Sequence, residues 1–324
     1  MEIGSFLELQ LPKGREWHHE PHTARLNTGR AAIWHAFRLT GCEAIWLPAY
    51  QCDTVRDFLQ KKHVPIKYYE INDRFDPQLD AVEEAEAVLL VNYYGVMSES
   101  RMAALAGQYR HPIIDDSQGF FAPPIDGAYT VYSARKFVGV PDGAYVVGDN
   151  ADRFTDEYEQ DYSSDTAAFL LSRIEYGCEG KAYELRSINE HRIDEADIRR
   201  MSKLTRTLLD AENNEFNRRK RRENFEAARE LFDPFNKMDP AMYYDETCTP
   251  MVYPLVVEDD GLLPFLQKNK LFQGHWWSYL CDELPEDRFE YWLSRYVIPI
   301  TIDQRYGREE LLYTQKLIKE YVEA

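Results

Sequence analysis

Between residues 29 and 148 the chain switches repeatedly between short β-rich runs and stretches with helical spacing, and this alternation restricts its fold more than any other feature. The β-rich runs fall at 44–48 (AIWLP), 65–71 (PIKYYEI), 87–94 (AVLLVNYY), 112–116 (PIIDD), 128–133 (AYTVYS) and 144–148 (AYVVG). Helix-period stretches at 29–39, 53–62 and 98–109 lie between several of them. Strands separated by helices require crossover connections, which predicts an α/β fold with a mainly parallel sheet covered by helices on both faces. The run at 87–94 opens without a polar residue, as a central strand buried on both sides does.

Beyond residue 150 the pattern changes. Residues 150–230 are rich in charge and read as helices joined by polar turns. Their end, 198–232, reads as one or two long helices, with Leu204, Leu208, Leu209 and Phe216 at roughly helical spacing. Strand signal returns at 251–257 (MVYPLVV), followed by a helix at 262–270, a strand at 296–302 and a terminal helix at 308–322. The expected division is a large domain over 1–200, then a linker helix and a smaller α/β domain over 201–324.

Composition removes several function classes. With 44% apolar and 29% charged residues in 324, the chain can bury a substantial core and does not resemble a disordered or fibrous protein. No apolar run approaches the roughly 20 residues that span a bilayer. Glu2 and Glu8 make the N-terminus unlike a basic secretory leader, so a cytoplasmic location is expected. The five cysteines, Cys42, Cys52, Cys178, Cys248 and Cys281, are scattered and never spaced as CxxC, which predicts reduced thiols and no cysteine metal site. A net charge of −18 works against nucleic acid or an anionic membrane as partner, while leaving room for a small anionic ligand in a local positive pocket.

Three segments carry chemistry. Thr28-Gly29-Arg30-Ala31 sits at the expected start of the first helix, where unpartnered backbone N–H groups suit a phosphate. Ile113-Ile114-Asp115-Asp116-Ser117-Gln118 places acids at the carboxyl end of a strand, where open α/β sheets bind ligands. Adjacent strand residues face opposite ways, so at most one of Asp115 and Asp116 enters a pocket; Asp116 or Ser117 otherwise caps the next turn. Tyr132-Ser133-Ala134-Arg135-Lys136-Phe137, followed by Gly139-Val140-Pro141-Asp142-Gly143, puts a lysine between a strand and a glycine-rich turn. The Ser133 hydroxyl there suits a phosphate, and the Lys136 amine suits attack on a carbonyl carbon.

In order, TGRAA, LPAY, VNYYG, IIDDSQG, YSARKF and PDGAYVV resemble the fold-type I enzymes that use pyridoxal 5′-phosphate (PLP), most closely the DegT/StrS sugar aminotransferases. The likeness covers about residues 25–150 and returns at RRMSKL (199–204), RRKRRENF (218–225) and PITIDQRY (299–306). It implies that Lys136 holds the cofactor covalently and shuttles a proton, and that Asp115, three residues before Gln118, pairs with the pyridine nitrogen. Gln118 would contact the phenolic oxygen, and Thr28, the backbone at Gly29 and Arg30, and Ser133 would hold the phosphate. The implied substrates are an amino-acid donor and a nucleotide-linked keto sugar, as in cell-surface polysaccharide synthesis, and the implied assembly is a homodimer.

The chain departs from this pattern in places. Arg30 stands where the family has threonine, offering its charge as a phosphate grip. Cys52 occupies the place of the aromatic residue that stacks on the cofactor ring, leaving Tyr50 as the substitute. Ile198 replaces an asparagine that reaches the partner subunit's phosphate. Two further readings therefore stand beside the aminotransferase: a dehydratase or other PLP lyase, which the presence of Lys136 disfavours, and a non-catalytic relative that keeps the fold for binding. Three remaining features read as structural. His18, His19 and His22 belong to an exposed polar loop, Arg218-Arg219-Lys220-Arg221-Arg222 to a solvated helix face, and His275-Trp276-Trp277 to packing between lobes.

Overall fold

In a computed structural model describing residues 3–322, the first half of the chain builds one eight-stranded sheet. Its strands are β1 (Ala24–Leu26), β2 (Ala44–Pro48), β3 (Ile66–Ile71), β4 (Pro77–Gln78), β5 (Glu86–Val91), β6 (Pro112–Asp116), β7 (Tyr129–Ser133) and β8 (Ala144–Val147). They lie in the order β1-β8-β7-β6-β5-β2-β3-β4. The five from β3 to β7 across the centre run parallel, and β4, β8 and β1 pair antiparallel at the two sides. The connection from Ser133 to Ala144 is too short for a crossover helix, so β8 must turn back beside β7.

Helices α1 (Gly29–Thr40), α2 (Asp53–Lys61) and α3 (Glu99–Ala106) make the crossovers. The side-chain oxygen of Thr28 caps α1 by accepting from the Ala31 amide at 3.3 Å, and Ser98 caps α3 in the same way. Ala31, Ala32, Ile33, Ala36 and Phe37 of α1 pack on one sheet face with Leu89, Ile113, Val131 and Val146. The opposite face, through Val88, Leu90 and Ile114, joins a larger core shared with the second half of the chain. Tyr93 and Tyr94, expected at the end of β5, instead form a 3₁₀ turn in which Tyr94 takes φ 59°.

The second half holds α4 (Ala168–Tyr176), α5 (Lys181–Glu195), α6 (Lys203–Asp210) and the long α7 (Asn214–Phe232). An antiparallel pair follows, β9 (Val252–Val256) with β10 (Val297–Thr301), flanked by α8 (Leu262–Lys268), α9 (Leu280–Glu283), α10 (Phe289–Tyr296) and α11 (Arg308–Val322). Residues 198–202, expected as helix, are extended; Arg200 bridges to Leu26 and Gln160 before Ser202 caps α6. Tyr296, expected in a strand, ends α10.

Two of the structural readings change. His18 does not lie in an exposed loop but is buried, its ring stacked on Tyr132 at 3.7 Å, and burial lowers its pKa to about 3. His19 turns to the Trp17 carbonyl and His22 to Asp152, and among the described residues no cluster of metal-ligating side chains forms. In the basic run, Arg219 and Lys220 pair with Glu223 as expected, but Arg221 is buried. No helix among the described residues is long and apolar enough to cross a membrane.

Candidate active site

The sheet changes direction of growth beside β2: the chain first adds β3 on one side and later β5 on the other. Ligands of open α/β sheets bind at the carboxyl ends of the strands near such a point. Here those ends carry Tyr50, the Tyr93–Tyr94 turn, the 115–118 segment and the turn that bears Lys136.

Alternation along β6 separates the two acids. Asp115 shares its strand face with Ile113, the face on which α1 packs. Its Oδ1 accepts from the Ser117 amide at 2.9 Å. Asp116 points to the opposite face, where Asn92 Nδ2 donates to its Oδ1 at 2.7 Å. Burial raises the Asp116 pKa to about 8, Asn92 opposes this, and the neighbouring Asp115 charge adds to it.

On the α1 face the phosphate-type groups converge. A Cβ at Gly29 would lie 3.4 Å from Ser117 Oγ and 3.9 Å from Ser133 Cβ. The helix start therefore approaches two serines from different strand ends, with glycine leaving the space between them open. Thr28 is committed to its cap, and the Gly29 and Arg30 amides have no acceptor among the described residues. The Arg30 side chain does not join them. Its guanidinium turns to α5, donating to Asp194 Oδ1 at 3.0 Å and to the Ile193 carbonyl, so its charge does not grip a phosphate there.

Lys136 closes the 3₁₀ turn that follows β7, and its side chain is exposed with no hydrogen bond or ion pair among the described residues. The turn is held from behind. The Ala134 amide donates to the Gly143 carbonyl at 3.1 Å, and the Gly143 amide donates to the Asn27 carbonyl at 2.7 Å. Gly143 has φ 120°, and a Cβ there would come 2.9 Å from Thr205 Cγ2, so the motif needs glycine at this point. Gln118 Oε1 accepts from the Tyr94 amide at 2.6 Å, which leaves its Nε2 free of protein acceptors among the described residues.

Tyr50 reaches the same end of the sheet but is 0% exposed. Its hydroxyl bonds that of Tyr94 at 2.8 Å, and Trp277 covers its ring edge-on at 4.4 Å. Stacking of a cofactor on Tyr50 would require Trp277 to move. Trp276 stacks on Tyr94 at 5.3 Å, so the paired tryptophans do pack between the lobes. Ile198 lies in the apolar core beside α1. Ser117 is the residue that sequence reasoning assigned only to capping. The available signal was its parity with Asp115, which places both on one side of the strand end.

The fold is one that the chain shares with solved structures of sugar aminotransferases. Among solved structures the chain is similar to the sugar aminotransferase CalS13 from Micromonospora echinospora, at 15% identity over 93% of this chain and 87% of that one, with TM-score 0.64. It is also similar to a DegT/DnrJ/EryC1/StrS aminotransferase from Brucella abortus (14%, 92% and 85%, TM-score 0.57). A third is NtdA from Bacillus subtilis, solved with the cofactor PMP bound (11%, 92% and 73%, TM-score 0.59). At these identities the likeness is one of fold. No protein-family model matches the sequence, and no curated protein matches it.

Proposed function

We propose that this chain is a PLP-dependent aminotransferase that moves an amino group from an amino-acid donor to a keto sugar, nucleotide-linked as the sequence resemblance implies. The observation that carries the reading is the convergence of Gly29, Ser117 and Ser133 on the sheet face that also holds Asp115, beside an exposed and unpaired Lys136. The residues present fit the cofactor: two amides and two hydroxyls for a phosphate, a carboxylate for a protonated ring nitrogen, and an amine free to react.

In this reading the Gly29 and Arg30 amides and the Ser117 and Ser133 hydroxyls bind the phosphate, with the positive end of α1 adding to the attraction. Asp115 holds the proton on the pyridine nitrogen, and the Ser117 amide keeps that carboxylate oriented. Gln118 is pinned through Oε1, so Nε2 is the atom that donates to the phenolic oxygen. Lys136 Nζ, the free amine at this strand end, would hold the cofactor covalently and would serve as the base that moves the substrate proton. The cofactor, once bound, supplies the electron sink that a protein side chain lacks.

The division into a cofactor-binding domain over 1–200 and a small domain over 201–324, the cytoplasmic location and the homodimer belong to the same proposal. Exposed Leu171, Ile174, Tyr176, Tyr183 and Ile188 on α4 and α5 support the dimer, because soluble proteins rarely leave such a patch uncovered. These helices adjoin the lysine turn, since Asn189 Nδ2 donates to the Pro141 carbonyl and Arg135 pairs with Glu190. Light scattering at micromolar concentration is expected to give twice 38.1 kDa, and a monomer would count against it.

The deciding experiment is the visible spectrum of protein with added PLP, before and after borohydride, for wild type and Lys136→Ala. A yellow band that borohydride fixes in the wild type alone is the expected result. Amino donors such as glutamate should then convert bound PLP to pyridoxamine phosphate. A colourless wild type would sink the enzyme reading and favour a binding role; a fixed band with no donor conversion would point to a PLP lyase.

A further inference from the structure

Arg221 lies in the middle of α7 and is 3% exposed, yet no carboxylate among the described residues comes within ion-pair distance of it. A buried cation without a counter-ion is costly unless its N–H groups and its flat face are both used. Burial brings its pKa down to about 10, with Asp303 opposing and Arg305 reinforcing that shift, so the group stays charged at neutral pH.

What occupies this guanidinium borders the proposed site on every side. Its Cζ lies 4.4 Å from the ring centroid of Phe137, the residue after Lys136. Nε donates to Gln304 Oε1 at 2.9 Å, and Gln304 Nε2 in turn donates to the Phe137 carbonyl at 2.8 Å. Nη1 donates to the Met251 carbonyl at 3.0 Å. The Met251 amide donates to the carbonyl of Tyr94, whose own amide holds Gln118. One cation thus touches the ring, and through Gln304 the carbonyl, of the residue next to the lysine. It also steadies the strand end behind Gln118.

Among the described residues Lys136 has no hydrogen bond or ion pair to fix its side chain, so its placement depends on the backbone of the turn. Ala134 and Gly143 anchor the near side of that turn, Arg135 pairs with Glu190, and Met201 and Leu209 share the apolar cluster of Phe137. Among the described residues the Arg221–Gln304 pair supplies the polar hold on Phe137 from the second half of the chain, a cation on its ring and a hydrogen bond to its carbonyl. We propose that Arg221 is a positioning residue that clamps the Lys136 turn against α7 and so keeps the amine presented to the cofactor. The proposal rests on the PLP reading for its purpose, but the clamp itself can be measured without PLP.

The test compares wild type, Arg221→Met and Arg221→Lys, each also in a Lys136→Ala background. In cofactor-free protein, amide hydrogen exchange across residues 134–140 should rise at least tenfold in Arg221→Met, while exchange in α1 and β6 stays within twofold. Arg221→Lys, which keeps the charge but loses the planar fork, should fall between the two. With PLP added, borohydride-trapped labelling of Lys136 should slow at least tenfold in Arg221→Met. Equilibrium binding of PLP by Lys136→Ala, with and without Arg221→Met, should agree within twofold, because the phosphate groups are untouched.

Unchanged exchange in the turn would overturn the clamp. So would faster exchange throughout the chain, which marks a general packing role. If Arg221→Met fails to fold, Arg221→Lys decides by the same exchange readout, and wild-type-like exchange in its turn overturns the proposal. A wild type that takes up no PLP would overturn the cofactor reading alone, and the exchange data would still decide the clamp.

Discussion

Asp116 and His18 illustrate how much a single residue's surroundings alter its chemistry. Asp116 is fully enclosed, and its pKa stands at about 8 against roughly 4 in an unfolded chain. A raised folded pKa means that the native state binds the extra proton. Its stabilising contribution is complete below about pH 4 and is lost as pH rises through about 8, at about 1.4 kcal/mol per pH unit for one proton. His18 behaves oppositely: its folded pKa of about 3 lies below the unfolded 6.5, so its contribution is present above pH 6.5 and is lost as pH falls toward 3. The two slopes oppose each other between about pH 4 and 6.5, leaving Asp116 alone from about 6.5 to 8. Urea titrations of the cofactor-free protein should show stability falling over that upper window in wild type and nearly flat in Asp116→Asn. Identical slopes would mean that Asp116 is ionised in the native state. His18→Phe should instead remove part of the acid-side loss below pH 6.5, and an unchanged acid limb would count against a neutral buried His18.

At the scale of elements, turns rather than helices set the tolerance of the fold. Gly41 closes α1 with φ 71° and has nothing within 4 Å of an added Cβ. Gly95 follows Tyr94 with φ 74°, but a Cβ there would collide with the Gln118 carbonyl oxygen and approach Pro250 Cα to 3.2 Å. Both substitutions by alanine incur the left-handed backbone penalty of about 1–2 kcal/mol. Only Gly95→Ala must also push two backbone segments apart, so it should cost at least about 3 kcal/mol, or prevent folding. Denaturant midpoints of the two variants give the comparison, and equal losses would contradict the close approach. Because Gln118 belongs to the displaced segment, Gly95→Ala should also weaken PLP uptake if the protein remains folded.

For the whole molecule, the sheet and the second half of the chain share one apolar core. It runs without a break from Val88, Leu90 and Ile114 through Tyr93 and Tyr94 to Tyr253, Leu255 and Ile298. Trp276 and Trp277 close its edge over Tyr94 and Tyr50. A core continuous across both parts predicts one cooperative transition. Far-UV circular dichroism and tryptophan fluorescence should therefore give coincident unfolding curves in denaturant. Trp277→Ala should lower the shared midpoint without splitting the curves. Two separated transitions would show that the parts unfold independently.

Local signals determined much of this protein. Period-2 and helical patterns located six of the eight strands in the large sheet and all three of its crossover helices. The Asp115–Asp116 step already required opposite faces, and the lysine motif already required a strand, a turn and a glycine. These features depend on residues only a few positions apart, where backbone geometry alone decides. Tertiary structure decided the rest. Arg30 faces Asp194 and Ile193 instead of a phosphate, Tyr50 is sealed by Trp277, His18 stacks under Tyr132, and Arg221 reaches the lysine turn from α7. Each of those partners lies tens to hundreds of residues away, and a side chain's partner at that separation is set by how helices and sheet pack. The meeting of Gly29, Ser117 and Ser133 belongs with them: the residue types were visible in the chain, but only the assembled sheet brings three separate strand and helix ends to one point.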